Sequence, residues 1–197
     1  MSLITTNSLI KGLLITYTDD NGPKVEVNLS ELNEISSTKL SLIGMTVLMF
    51  GNKDPEFFSK RYYNVYGPIP VPQILEPIDN YKKHDLDALA IIFNVFNDAP
   101  SNDIRTIKYG KDIITWFVFD TSDRKKIFDK IEIIEKIAKI YLKKVEYLSQ
   151  LKNESFFRNL LIDVIEITSD TAPKVVRQVI EPNPAYINST SRITFKK

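Results

Sequence analysis

Leu86–Phe96 (LDALAIIFNVF) is the stretch whose reading settles the fold class. A strand points successive side chains to opposite faces, so a strand with one wet face alternates apolar and polar residues. Positions 88–93 are apolar without a break. A strand of that kind needs cover on both faces of its sheet. Ile113–Phe119 (IITWFVF) and Leu9–Thr18 (LIKGLLITYT) read the same way. Three such strands call for helices above and below.

Outward from these runs, Asp19-Asp20-Asn21-Gly22 follows the first strand. Asn-Gly accepts positive φ at both central positions of a tight turn, a strong hairpin signal. Pro23 then opens a segment in which Val25, Val27 and Leu29 alternate with Lys24, Glu26 and Asn28. This predicts a half-buried strand at an edge, where Pro23 needs no ladder donor. Lys60–Val71 (KRYYNVYGPIPV) predicts another strand, bent or ended by Gly67-Pro68. Pro68, Pro70 and Pro72 keep that stretch out of a central position. Pro77–Asp85 reads as an exposed loop and Asn97–Asp112 as a polar linker.

Three helices are expected. Ser36 or Ser37 caps one running to about Phe50, with Leu40, Ile43, Val47 and Phe50 at helical spacing and Gly51-Asn52 as a stop. Gly44 costs such a helix about 1 kcal/mol relative to alanine, so close packing on the sheet is its expected compensation. Thr121 or Ser122 caps the longest helix, with Asp123 placed for its dipole. Its stripe is Ile127, Ile131, Ile134, Ala138, Tyr141, Val145 and Leu148, widened by Ile133, Ile137 and Ile140. It spans about three heptads and is too wide for a coiled-coil seam, so a helix lying on a sheet is expected. The last helix runs over 154–168 with Phe157, Leu160, Leu161 and Val164 inward. The expected class is α+β: a five-stranded, mainly antiparallel sheet with helices on both faces, in the order β-β-α-β-β-β-α-α. One domain covers 1–169, and 170–197 is a tail, partly ordered at most.

This succession resembles the longin-like domain of the longin/roadblock/profilin-like superfold, of a prokaryotic, archaeal type. The resemblance rests on the hairpin around Asp20-Asn21-Gly22-Pro23, the helix at 37–50, three consecutive strands and two closing helices. It covers about 9–168; Gly67–Pro72 and the tail lie outside the shared core. It implies a non-catalytic module that pairs through sheet edges or helices, in membrane trafficking or as a platform regulating small Ras-like GTPases. The implied partner is a small GTPase or a longin/roadblock-type subunit, and a homodimer is allowed.

The chemistry-bearing residues agree with a module of that sort. There is no cysteine, which removes disulfides, thiolate metal sites and cysteine nucleophiles. His84, in Lys82-Lys83-His84-Asp85, is the one histidine and has no G-x-S-x-G partner; a solvated loop residue is expected. Asp19 and Asp20 are explained by turn chemistry, and Asp85 and Asp87 begin a strand where exposure is expected. Six dispersed glycines form no phosphate loop. The net charge is +1, and Arg124-Lys125-Lys126 and Lys143-Lys144 read as a solvated helix face. Beside Lys60-Arg61, Tyr62, Tyr63 and Tyr66 read as strand residues half in the core, with stacking on bases or headgroups as the alternative; nucleic acid is not an expected partner. No run reaches the roughly 20 apolar residues of a spanning helix. Met1–Gly12 lacks the charged start of a signal peptide. A cytoplasmic location is expected, with peripheral membrane contact allowed. No catalytic residue, cofactor or metal is expected. The expected partner surface is the aromatic strand: Tyr62, Tyr63, Tyr66, Ile69 and Val71. The competing readings are a small-ligand sensor of profilin-like fold and a weak nucleic-acid binder.

Overall fold

The computed structural model describes residues 8–19, 22–30, 44, 63–71, 86–98 and 110–169. The 37–50 helix apart from Gly44, the His84–Asp85 loop, Lys60–Tyr62 and the tail 170–197 lie outside the described residues. Five strands, β1 (Ile10–Asp19), β2 (Gly22–Asn28), β3 (Tyr63–Pro70), β4 (Leu86–Val95) and β5 (Lys111–Asp120), form one sheet. Their order is β2-β1-β5-β4-β3, and every neighbouring pair is antiparallel. The helices are α1 (Arg124–Leu142) and α2 (Glu154–Thr168).

The strand period sorts the apolar runs into two cores. Leu13, Ile15, Leu89, Ile91, Phe93 and Phe117 face α1 and α2, which bring Ile127, Ile134, Ala138, Phe157, Leu160 and Val164. α2 packs over β1, and α1 over β4 and β3. Leu14, Ala88, Ala90, Ile92, Ile114, Trp116 and Val118 form the core of the opposite face. On that face the chain is helical at Gly44, where a Cβ would lie 2.5 Å from Ile114 Cδ1 and 2.9 Å from the Trp116 ring. The close approach implied by a glycine inside a helix is therefore present. Each fully buried large side chain contributes about 1.5–3 kcal/mol, so the central strands hold the layers together.

Several local expectations are corrected. Asp19 pairs with Gly22, so the hairpin connection is the two residues between them, one place earlier than expected; Gly22 closes it at φ 109°. α1 begins not at a Thr121 or Ser122 side-chain cap but through a 3-10 turn, Thr121–Asp123, that has no side-chain cap bond. It ends at Leu142 rather than near Leu148. There the chain turns back to β4: Phe96 N–H donates to the Glu146 carbonyl (2.8 Å) and Leu148 N–H to the Phe96 carbonyl (2.9 Å). Val145 is still buried, as the stripe required, but through that turn. Ile133 and Ile140 do not widen the buried stripe; both are exposed. α2 runs over the expected residues, with the Asn153 side chain accepting from Phe156 N–H.

Candidate interaction surface

The sheet has two edges, and they differ in chemistry. β2 opens with Gly22-Pro23, and its exposed Lys24 is ion-paired with Asp19. A bulge interrupts the register between Ile15–Val27 and Thr16–Val25, leaving Glu26 as the extra residue. Tyr17 Oη donates to Glu26 Oε2 at 3.3 Å. Burial and then the Glu26 charge push the Tyr17 hydroxyl above its ordinary range, while the bond to Asp19 raises the Lys24 ammonium. Charge, a bulge and a proline are the usual devices that keep an edge from recruiting another strand.

β3 pairs only with β4 among the described residues. Its register runs from Tyr63–Phe93 to Tyr66–Ala90 and resumes at Ile69–Ala88, so one extra residue bulges at Gly67-Pro68. The Gly67-Pro68 bond is cis, and Gly67 has φ 130°. A Cβ there would lie 2.8 Å from the Ala88 carbonyl oxygen, so backbone conformation and space both require glycine. Pro68 and Pro70 have no N–H to offer a neighbour. The stretch of β3 in unbroken register with β4 is Tyr63–Tyr66.

The residues expected at the surface do not form one patch. Tyr63 is half-buried, stacked on Phe93 at 6.3 Å, and packs on the helix side together with Val65. Tyr66 and Ile69 are half-buried against the opposite core. Val71 is buried and donates its N–H to the Leu86 carbonyl. Tyr62 lies outside the described residues. Period two puts Tyr63 and Tyr66 on opposite faces; what they share is the strand's backbone edge.

Other polar groups are committed to structure. Asp87 was expected to be exposed but is 1% exposed: Arg124 Nε and Nη2 both donate to its Oδ2, at 3.0 and 2.8 Å. Burying a carboxylate costs roughly several kcal/mol of hydration, which such a partner offsets. The basic triplet is thereby partly spent, since Arg124 holds Asp87 and Lys126 reaches Asp123. Asp98 accepts from Ser149 N–H and Oγ, bonds that hold its carboxyl below the ordinary range. No group of three or more His, Cys, Asp or Glu suited to a metal occurs among the described residues. The sequence reading missed two exposed features: the Phe96–Tyr147 pair (centroids 6.5 Å apart) and Phe128. Phe128 was detectable as an apolar residue off the α1 stripe.

Compared with protein-family models, curated proteins and solved structures, the chain matches none. Among the described residues no helix is long and apolar enough to cross a membrane.

Proposed function

We infer that this chain is a non-catalytic, longin-like interaction module that recruits a partner strand to the edge of β3. The observation that carries the reading is the asymmetry of the edges. β2 carries Pro23, the Lys24–Asp19 ion pair and a bulge at Glu26, whereas β3 keeps an unbroken register with β4 over Tyr63–Tyr66 and sets Tyr63, Val65 and Tyr66 there. An edge of that kind binds through main-chain hydrogen bonds, with side chains on both faces supplying selectivity. The longin-like part is supported by the succession of hairpin, helical Gly44, three antiparallel strands and two closing helices. The partner on this reading is a small Ras-like GTPase or a longin/roadblock-type subunit. The buried polar groups argue for a scaffold, since Asp87, Thr16 and Trp116 are spent on one another or on Arg124.

The test is to mix the full chain with nucleotide-loaded small GTPases and with roadblock-type subunits and follow amide exchange. Binding is expected to slow exchange at residues 63–66. Tyr66→Ala is expected to weaken it about tenfold or more. A complex that leaves these amides unprotected would refute the edge as the contact.

A further inference from the structure

Among the described residues the exposed large apolar side chains are Phe96, Phe128, Ile133, Ile140 and Tyr147. Three of them stand on α1, and the other two meet at the turn just after it. The sheet-facing side of α1 is marked by Ile127, Ile134, Ala138 and Leu142, all buried. At about 100° per residue, the side pointing straight away from the sheet belongs to Lys125, Asp129 and Lys136, all exposed. Phe128, 49% exposed, lies on one flank of that ridge. Ile133 and Ile140, at 39% and 36%, lie on the other.

The charge of this helix is lopsided. Arg124–Lys144 carries eight basic and three acidic residues, net +5, in a chain whose net charge is +1. Part of the excess is matched locally: Arg124 pairs with Asp87, Lys126 with Asp123 and Lys139 with Glu135. With those pairs set aside, Lys125, Lys130, Lys136 and Lys144 still outnumber Asp129 and Glu132.

We propose that the outer face of α1 seats the protein on the surface of an anionic lipid bilayer. The lysines are drawn to the negative headgroups, with their stems lying along the apolar side chains. Phe128, Ile133 and Ile140 enter the boundary between headgroup and acyl chain. The apolar side chains stand apart on both flanks of the lysines, a spacing that suits a broad surface rather than a single pocket. A second copy meeting this face would set like charge against like charge. Nucleic acid would call for aromatic faces on which bases stack, but two of the three apolar side chains are isoleucines, and Arg124 is committed to Asp87. The proposal stands independently of the β3 contact.

The experiment sediments the full chain with vesicles of phosphatidylcholine alone and of phosphatidylcholine mixed equally with phosphatidylserine. Binding to the mixed vesicles is expected to be tighter by at least about tenfold and to fall as salt screens the lysines. Lys136→Glu reverses one charge and is expected to weaken it at least about tenfold; Glu132→Lys is expected to tighten it as much. Phe128→Ser and Ile140→Ser leave the charge unchanged and are each expected to weaken it several-fold. All four sites are exposed, so unfolding midpoints should stay near wild type. Equal binding to both vesicles, or none, would overturn the proposal. So would mixed-vesicle binding indifferent to both Lys136→Glu and Phe128→Ser, which would put the contact on another face. Binding that follows the charge variants but ignores both serine variants would overturn the apolar half. Tighter binding to single-stranded DNA than to the mixed vesicles, lost in Lys136→Glu, would reassign the face to nucleic acid.

Discussion

Two threonines in adjacent strands should respond in opposite directions to the same substitution. Thr16 in β1 and Thr115 in β5 are both buried, at 1% and 0% exposure. Thr16 Oγ1 accepts the Trp116 indole N–H at 2.8 Å. Thr115 Oγ1 has no hydrogen-bond partner among the described residues and sits between Ile15 and Ile91. Valine has the same branched shape, so neither substitution opens a cavity. A buried polar group left unpaired costs about 1–3 kcal/mol. Thr115→Val removes that cost and should stabilise the chain by about 1–2 kcal/mol. Thr16→Val strands the indole N–H and should destabilise by about 1–3 kcal/mol. At this size each kcal/mol moves the midpoint by about 2–4 °C. Trp116 is the only tryptophan and lies in the core, so its fluorescence reports urea unfolding directly. Midpoints should move apart while m stays constant. If Thr115→Val destabilised the chain, or both variants moved the same way, the hydrogen-bond accounting would be refuted.

Ile134 is fully buried beneath α1, so Ile134→Ala should cost about 2–5 kcal/mol; a calorimetric midpoint near wild type would place it outside the core. Gly44→Ala should lower the midpoint even though alanine favours a helix by about 1 kcal/mol. The new methyl meets Ile114 and Trp116, and overpacking costs about 1–3 kcal/mol; a rise would show that the ring moves aside. Burial, and then its 2.5 Å bond to Asp163, push the Tyr141 hydroxyl up to about 12. A raised value stabilises the fold fully below the ordinary tyrosine range near pH 10 and loses that contribution as pH climbs toward 12. Absorbance titration should show Asp163→Asn lowering that value.

Local physics made most elements legible. Uninterrupted apolar runs gave β4 and β5, alternation gave β2, and apolar residues at helical spacing gave α2 over its full length. The failures share one cause. Asp87 looks like an exposed strand start until Arg124, 37 residues away, closes over it. The α1 stripe continues in sequence to Leu148, but the helix stops at Leu142 because Phe96 draws the following turn into a bridge. Half-buried Tyr63 and Tyr66 could be placed on opposite faces by counting residues. That their strand would stand last in the described sheet, beside β4 alone, could not.

From the chain alone came the class, the strands with one wet face or none, and the lack of cysteine. All of these depend on interactions within a few residues. Folding decided which strand stands outermost, which carboxylate goes under cover and which phenylalanine is left in water. Those outcomes depend on pairings between segments distant in sequence, whose partners no local spacing specifies.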